Sequence, residues 1–486
     1  MKKFILMVLM CLCTSAYAER WQVDWSGSAR LAGGTGQYMP FHARTGEDGI
    51  LPVRSSGLLT AGADVAYHAS NGLFFEAGTN LVGALALKSP LNPAPVYGFI
   101  DRLYVSGGWR MLHLDVGMKP RQRTLSDLSI SGGDILYSRN SRNLPGINAW
   151  SDWIYFEKGH WVGIKGNLAH YQYVDSRCVN NAFLHSKAVA LKVRLGRKVD
   201  LTAGFDHYAQ WGGYSETYGQ QLQGFKDYVK VFFGMQGGSD ALMTDQMNVF
   251  GNHLGREWGR LDWRADHFTL TFQYDKPFED NSGMVFRNFP DGIWSLQFAF
   301  RERDAFVTDV VYEFINTTWQ SGSLHDRPAT EEELSKQDPS DPYYGKIVMG
   351  GRDNYFNNFP YVSGWTSYGR MMGLPLILPA LPGEDGKTRG IVNNRVRGHH
   401  LGISGVVAGA VPYRFKSTFT ENFGTYGSPF ADGTWQLSLA LEAELNKVLT
   451  RLPLQFSVGL YGDIGRMYQN SVGLTLRMNY SEKRIF

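Results

Sequence analysis

The sequence predicts an all-β protein: an antiparallel outer-membrane β-barrel of about 18 strands, with long extracellular loops that contain short helices. Three observations predict it. Many segments of strand length alternate apolar with polar side chains, which is the pattern of strands that cross a bilayer in a barrel. The connections between these segments alternate between very short and long. Charged residues make up only 19% of the chain and aromatic residues 14%, which excludes intrinsic disorder.

Residues 1–18 have the composition of a secretory signal peptide. Two lysines precede an apolar run, and Ala16-Tyr17-Ala18 places small residues where a signal peptidase cuts. We expect cleavage before Glu19 and export to the outer membrane; a lipoprotein signal is the alternative, because two cysteines lie near the end of the apolar run. Residues 19–486 are then one barrel domain. Cys178 is its single cysteine, so an internal disulfide is impossible.

The alternation is clearest in residues 470–480. One face of this segment is wholly apolar and the other is polar or small, and the apolar face carries Val472, Leu474, Leu476, Met478 and Tyr480. Residues 434–445 and 185–195 repeat the pattern. A soluble β-sandwich produces the same alternation, so periodicity alone does not decide between the two folds.

The lengths of the connections favour the barrel. The predicted strands are 20–32, 57–69, 72–87, 97–108, 111–118, 151–158, 161–173, 185–195, 198–209, 257–264, 267–275, 293–301, 305–316, 396–409, 412–423, 434–445, 454–463 and 470–480. Every second connection is short, and the longest of the others are loops 119–150, 210–256, 276–292 and 317–395. In outer-membrane barrels the short turns are periplasmic and the long loops extracellular. An even strand count then places both termini in the periplasm.

Two helices are expected inside the long loops. Residues 225–234 carry apolar side chains at helical spacing, and a strand there would break the alternation of loop lengths. A second helical turn is expected to begin at Thr330, with Glu333 three residues later as its capping box.

The long loops and the strand ends beside them carry motifs rich in asparagine, arginine, acidic and aromatic residues. These motifs are Gly351-Arg352-Asp353-Asn354-Tyr355-Phe356-Asn357-Asn358, Ser363-Gly364-Trp365-Thr366, Gly369-Arg370, Asn393-Asn394-Arg395-Val396, Phe278-Glu279-Asp280 and His207-Tyr208-Ala209-Gln210-Trp211. The chain resembles the Wzi family of capsule-assembly outer-membrane proteins in these motifs, and the resemblance covers nearly the whole mature chain. It implies a barrel that acts as a lectin and holds capsular polysaccharide at the cell surface.

Amides, guanidinium groups and aromatic rings in these motifs could read sugar hydroxyls, grip uronate carboxylates and stack on sugar rings. The candidate polysaccharide-binding residues are Arg352, Asp353, Asn354, Tyr355, Asn357, Asn358, Trp365, Arg370, Asn393, Asn394, Arg395, Glu279, Asp280 and Trp211. The alternative for each is structural: asparagine and glycine hold turns, and aromatic rings give a long loop its core.

The expected partners are capsular or other surface polysaccharide, outer-membrane lipid, and the barrel-insertion machinery through the C-terminal strand that leads to Phe486. Nucleic acid is not expected, because the net charge is +3 without a basic run. A porin or glycan-uptake channel is the alternative function. An outer-membrane hydrolase is a further one, but the chain lacks G-x-S-x-G, H-E-x-x-H and P-loop motifs. We expect no enzymatic activity, cofactor or metal.

Mixed charges are expected to line the barrel interior and to neutralise one another there. They are Asp309, Glu313, Arg414, Lys416, Glu442, Glu444, Asp463 and Arg477. The adjacent His399 and His400 should point to opposite faces of one strand, so they cannot chelate a metal together. Interfacial girdle residues are expected at Trp21, Trp25, Trp435 and Tyr480.

Overall fold

The computed structural model describes residues 20–156, 159–238, 249–324, 327–340, 344–347, 349, 351–446 and 454–485. The signal peptide predicted for residues 1–18, and Phe486, lie outside the described residues. Contact between the C-terminal strand and the insertion machinery stays a prediction. No helix in the described part of the chain is both long and apolar enough to cross a membrane.

Eighteen antiparallel strands form a closed barrel. Their bounds are β1 Arg20–Gly34, β2 Ser56–His68, β3 Leu73–Ala86, β4 Val96–Trp109, β5 Leu112–Met118, β6 Gly146–Ser151 with a second piece Ile154–Tyr155, β7 Val162–Gln172, β8 Phe183–Leu195, β9 Val199–Trp211, β10 Asn252–Arg264, β11 Phe268–Phe278, β12 Gly292–Phe300, β13 Asp309–Asn316, β14 Val396–Val407, β15 Val411–Asn422, β16 Trp435–Glu444, β17 Leu454–Gly465 and β18 Ser471–Ile485. Each strand pairs with its neighbours in the sequence, and β1 also pairs with β18, from Gln22 opposite Ile485 to Gly34 opposite Gly473. The predicted fold class is confirmed.

The apolar face of each strand points outward, toward lipid. In β18 the outward side chains include Val472, Leu474 and Leu476, which are 62%, 44% and 50% exposed in the isolated chain. A soluble protein would bury such a row, whereas a barrel covers it with the bilayer. Trp25 also lies on this outer face and is exposed, as expected for an interfacial residue.

Several strand ends differ from the prediction. The strand predicted at 151–158 begins at Gly146 and is interrupted after Ser151, so the loop before it is 119–145 rather than 119–150. Pro145 and Gly146 resemble a loop in the sequence, yet residues 146–151 pair with both β5 and β7. In addition β10 begins at residue 252 instead of 257, β13 begins at 309 instead of 305, and β18 continues to 485 instead of 480. Backbone pairing with neighbours extends or shortens strands beyond what side-chain alternation indicates.

Helices and short strands occur in the connections. The helices are α1 Phe41–Arg44, α2 Phe225–Phe233, α3 Asn281–Met284 and α4 Glu331–Leu334, with a 3-10 turn at Glu47–Gly49. The helix predicted at 225–234 is confirmed as α2. The capping box is confirmed at α4, where the Glu333 amide donates to Thr330 Oγ1 over 3.3 Å. Short strand pairs outside the barrel wall are Val179–Asn180, Tyr214–Ser215, Gly219–Gln220, Arg327–Pro328, Lys346–Ile347, Thr366–Ser367, Arg370–Met371, Leu378–Pro379 and Ile391–Asn393.

Two loops fold into the barrel, and we call residues 35–55 and 119–145 the inner segments. The second one lies against β10 to β14. Glu313 accepts hydrogen bonds from the Ile130 amide at 2.7 Å and from the Ser129 and Ser131 hydroxyls at 2.8 and 2.6 Å. His400 Nε2 lies 2.7 Å from the Leu128 carbonyl oxygen. These polar side chains of the wall therefore satisfy backbone groups that the segment carries into the interior.

Arg256 on β10 connects the second inner segment to the wall at one buried point. Its guanidinium contacts Asp206 at 2.7 Å, Asp275 at 2.8 Å and Asp134 at 3.2 Å. It also donates to the Gly133 carbonyl oxygen over 2.8 Å. Asp134 and Gly133 belong to the second inner segment, and the two other carboxylates belong to the wall. The Arg256 guanidinium therefore binds the segment to the wall.

The first inner segment lies against the next strands of the wall, from β15 to β18 and on to β1. The Phe41 amide donates to Asp463 over 2.9 Å, and Glu47 contacts Arg30 and Arg477 at 3.3 and 3.4 Å. The segments meet where Arg139 pairs with Asp48. The predicted neutralisation of interior charges is confirmed for Arg477, and for Arg414, which lies 3.1 Å from Glu442.

The orientation of the barrel is a testable prediction. An epitope tag inserted between Ser70 and Asn71, in a short turn, is expected to be hidden from antibody on intact cells. A tag inserted after Lys336, an exposed residue in the longest loop, is expected to be accessible. Flow cytometry on intact and permeabilised cells measures both. Surface labelling at the short turn would contradict the orientation.

Candidate functional site

The long loops pack over one end of the barrel around a buried apolar cluster. Trp365 is 0% exposed, and its indole N–H donates to the Leu136 carbonyl oxygen of the second inner segment over 2.6 Å. We call the packed loops 173–182, 279–291 and 317–395 the cap. Its cluster also includes Tyr173, Tyr355, Phe356, Tyr361, Met372, Leu374, Ile377 and Ile391. The cap is therefore a folded unit that rests on the inner segments and not a set of independent loops.

Several predicted binding residues lie inside the cap, which corrects the expectation that they face a sugar. Tyr355, Trp365, Asn393 and Asn394 are each 0% exposed. Trp211 is buried between Phe183 and Tyr228, with ring centroids at 5.4 and 5.7 Å. A side chain without solvent contact cannot offer a face to a polymer outside. The first four residues therefore shape the cap, and Trp211 packs beside it against α2.

The asparagine amides of the cap hold its backbone. Asn357 accepts from the Ile391 amide at 2.7 Å and donates to the Ile391 carbonyl oxygen at 3.1 Å. Asn358 accepts from the Tyr361 amide at 3.1 Å, and Asn394 donates to Asn354 over 2.7 Å. The structural alternative given for asparagine in turns accounts for these contacts.

Arg370 also has a structural position. Its guanidinium donates to the Arg44 carbonyl oxygen over 2.8 Å and to the Leu51 carbonyl oxygen. Both acceptors belong to the first inner segment, so Arg370 connects the cap to that segment. Burial, together with the nearby cations Arg44 and Arg142, lowers the pKa of Arg370 to about 10.

An acidic cluster joins the loop 279–291 to the loop 317–395. Glu279 accepts from the Phe356 amide at 2.6 Å, and Asp353 accepts from the Ser321 hydroxyl at 2.7 Å. Burial, with the nearby carboxylates Asp280 and Asp291, raises the pKa of Asp353 to about 7. Burial, with Asp353 beside it, raises the pKa of Glu279 well above its usual value. Burial likewise raises the pKa of Asp291 to about 6, although hydrogen bonds from the Gln320 and Trp319 amides act to lower it.

These raised pKa values predict a cap that loosens as the pH rises. In the unfolded loop Asp353 loses its proton near pH 4, whereas in the folded cap it keeps the proton up to about pH 7. The contribution of Asp353 to the free energy of unfolding of the cap is therefore greatest below pH 4 and falls until the pH passes about 7. Because Asp353 is partly solvent-accessible, we expect a loss of roughly 1–2 kcal/mol.

Hydrogen exchange of the loop amides at pH 5 and pH 8, corrected for intrinsic rates, measures this effect. The Asp353→Asn variant, which cannot ionise, should show a smaller difference between the two pH values. Equal corrected protection at both pH values in the unsubstituted protein would contradict the prediction.

The exposed side of the cap carries a surface of aromatic rings and guanidinium groups that the sequence analysis missed. We call Phe286, Arg287, Trp319, Arg395 and Tyr426 the Trp319 surface. Trp319 is 49% exposed and Phe286 is 53% exposed. The Trp319 indole N–H donates to the Arg287 carbonyl oxygen over 3.0 Å, and the Tyr426 hydroxyl donates to the Trp319 carbonyl oxygen over 3.0 Å. The contacts therefore hold the indole N–H and the backbone of Trp319, and about half of the side chain stays exposed.

Arginine completes the Trp319 surface. The Arg395 guanidinium lies 3.9 Å from the Tyr426 ring centroid and donates to the Thr318 carbonyl oxygen over 3.2 Å. Arg352 lies beside it, since its amide donates to the Gly322 carbonyl oxygen over 2.6 Å. Of the predicted residues, Arg395 and Arg352 are thus brought to this exposed surface, together with Asn354 and Asp280, which are also exposed on the cap. Their binding of polysaccharide stays a prediction.

One signal in the sequence could have identified Trp319. It follows directly after β13 in the polar run Asn316-Thr317-Thr318, where a tryptophan has no strand face to occupy. Phe286, Arg287 and Tyr426 carry no such signal, because they come from other loops and meet Trp319 only in the folded cap.

Comparison with known proteins gives a likeness in fold. No protein-family model matches the chain, and no curated protein matches it in sequence. Among solved structures, it is similar to Wzi of Escherichia coli, an outer-membrane protein described as involved in group 1 capsule assembly and as a carbohydrate-binding β-barrel. The identity is 12% and the TM-score 0.53, over 98% of this chain and 88% of that one.

Other solved structures with a similar outline are outer-membrane barrels of the Occ group. OccK5 of Pseudomonas aeruginosa is 10% identical, with 96% of this chain and 98% of that one covered and a TM-score of 0.46. OccAB4 of Acinetobacter baumannii is 10% identical, with 96% and 99% covered and a TM-score of 0.44. The chain has an outer-membrane β-barrel fold, which supports its localisation in the outer membrane.

Proposed function

We propose that this barrel binds and retains capsular or other surface polysaccharide at the cell surface, without catalysis. The Trp319 surface carries the proposal, because it combines exposed aromatic faces with arginines on the outside of the cap. Aromatic faces suit the apolar faces of sugar rings, and a guanidinium can bind a uronate carboxylate through two parallel hydrogen bonds. The likeness to Wzi, described as carbohydrate-binding, supports the same conclusion.

The cap suits retention of a polymer. Its apolar cluster and its contacts to the inner segments hold the Trp319 surface in one geometry, so binding orders few side chains. A polysaccharide contacts many copies of the protein at once. Weak single contacts therefore suffice, because each further contact along one chain forms at high effective concentration.

The experiment is complementation of a deletion strain with the double variant Trp319→Ala/Arg287→Gln. We expect at least a severalfold increase in polysaccharide shed into the medium, with unchanged total polysaccharide and unchanged barrel in the outer membrane. Cell-bound and released polysaccharide are measured separately, and the barrel is quantified by immunoblot.

The matched control is Phe359→Ala/Arg389→Gln, which removes an exposed ring and an exposed guanidinium elsewhere on the cap. It should retain polysaccharide as the unsubstituted protein does. Full retention in the Trp319→Ala/Arg287→Gln variant, at normal barrel levels, would contradict the proposal. Equal shedding from both double variants would mean that the Trp319 surface has no special role.

A porin or uptake channel is the alternative function. It requires a continuous path through the barrel, but the inner segments occupy the interior and are bonded to the wall at Glu313, Arg256, Asp463 and Arg477. The retention proposal does not need such a path.

A further inference from the structure

The barrel contains a cavity on the other side of the second inner segment from the cap. Its volume is about 530 Å³, within the range of pockets that bind small ligands. Inward-facing side chains of β5 to β11 line it, and residues 119–139 of the inner segment close it toward the cap. Lys165 and Lys192 lie three residues from the ends of β7 and β8, so the cavity reaches toward the short turns, which we expect to face the periplasm.

The carboxylates in this cavity already have partners. Asp115 contacts Lys119 at 3.0 Å and accepts from the Trp150 indole at 2.6 Å. Asp262 contacts Arg260 at 2.8 Å. Asp134 and Asp206 share Arg256. Each of these four carboxylates therefore lies within 3.2 Å of a lysine or arginine side chain of the protein.

Three cations in the cavity have no carboxylate partner among the described residues: Arg121, Lys165 and Lys192. Instead they lie on aromatic rings. The Lys192 ammonium is 4.3 Å from the Trp153 ring centroid, the Lys165 ammonium is 5.9 Å from that of Trp150, and the Arg121 guanidinium is 3.3 Å from that of Tyr137. The residues that line the cavity include eight lysines or arginines and four aspartates, so its surface is basic and lies beside several aromatic rings.

The cations are spread along the barrel axis. Lys165 lies opposite Ala190, so it is diagonal to Lys192 near the short turns. Arg121 is 5.6 Å from the ring of Tyr171, which is six residues further along β7. Six residues of strand span roughly 20 Å. An elongated ligand with several negative charges fits this spacing better than one compact anion does.

We propose that this cavity is a second saccharide site, which binds a carboxylate-bearing oligosaccharide from the periplasmic side. Carboxylates spaced along the chain pair with Lys192, Lys165 and Arg121, while sugar rings contact Trp150 and Trp153. The site is separate from the Trp319 surface, and it stands whether or not that surface retains polysaccharide.

The test uses the purified full-length protein in detergent and two probes, trigalacturonate and the uncharged maltotriose. Titration calorimetry and tryptophan fluorescence should show trigalacturonate binding at least about tenfold tighter than maltotriose, a difference of about 1.4 kcal/mol, because only the charged probe can form charge-assisted hydrogen bonds with the three cations. The Lys165→Gln/Lys192→Gln variant should lose at least about tenfold in affinity for trigalacturonate. Lys198→Gln, in an exposed turn where Lys198 pairs with Asp266, is the matched control and should bind as the unsubstituted protein does.

Two results would overturn the proposal: equal affinity for both probes, or unchanged trigalacturonate binding in Lys165→Gln/Lys192→Gln. The Trp319→Ala/Arg287→Gln variant separates the two sites. This variant should bind trigalacturonate as tightly as the unsubstituted protein does. If it loses trigalacturonate binding while Lys165→Gln/Lys192→Gln keeps it, the uronate binds at the Trp319 surface instead.

A labelling experiment tests the side of access. Lys192→Cys is made in a Cys178→Ser background, so that the introduced thiol is the single one in the mature chain. A polymer-linked maleimide too large to pass the outer membrane should leave intact cells unlabelled and should label permeabilised cells. Labelling of intact cells would overturn the periplasmic assignment.

Discussion

Replacement of Arg256 by alanine is expected to lower the free energy of unfolding by about 3–5 kcal/mol. The guanidinium is the buried partner of Asp134, Asp206 and Asp275, and the substitution leaves these carboxylates without a cation. It also removes the hydrogen bond to Gly133, which belongs to the second inner segment. Unfolding in guanidinium chloride, followed by heat-dependent gel mobility and tryptophan fluorescence, measures the loss.

Arg264→Ala is the matched control on the same strand. Arg264 pairs with Asp200 through two hydrogen bonds of 2.9 Å, but its side chain is 38% exposed. An exposed pair contributes about 1 kcal/mol or less. Equal losses for both arginines would contradict the role that burial gives to Arg256.

Glu313→Ala is expected to turn a barrel that conducts almost no steady current into one that opens repeatedly. Glu313 accepts from the Ile130 amide and from the Ser129 and Ser131 hydroxyls, so its removal leaves buried donors of the inner segment without an acceptor. The segment then leaves the wall more often and exposes an ion path. Current recordings in planar bilayers, with the unsubstituted protein beside the variant, measure the change.

Glu442→Ala provides the control for the conductance experiment. Glu442 also lies on the inner face of the wall, but it pairs with Arg414 and the Tyr461 hydroxyl, which belong to the wall itself. The Glu442→Ala barrel should therefore stay closed and conduct almost no steady current. Large stable currents from the unsubstituted protein would contradict the expectation and would favour the channel function over retention.

Side-chain alternation and loop lengths were enough to predict the barrel, its strand number and most strand positions. Strands such as β18 and β16 face lipid on one side and the barrel interior on the other, so apolar and polar residues alternate strictly along their sequences. The start of β6 was missed because Pro145 and Gly146 resemble a loop locally, while pairing with β5 and β7 determines the strand.

The candidate site was less predictable, because burial in the cap depends on contacts between distant loops. The motif around Trp365 contains the residue types of a sugar site, yet Trp365 packs against Leu136, more than two hundred residues away. Trp319 and Tyr426 meet through a hydrogen bond across a gap of 107 residues. One sequence does not reveal which loop covers which side chain. The residue types of a sugar site could therefore be recognised, but the exposure of each side chain could not be predicted.

The apolar cluster beneath the cap has a consequence for the order of assembly. It joins Phe41, just after β1, to Tyr208 on β9, Ile315 on β13 and Val396 on β14. These side chains can come together only after β1 has paired with β18 and the barrel has closed. The surface that faces the exterior is therefore expected to mature last, which prevents an unfinished barrel from displaying it.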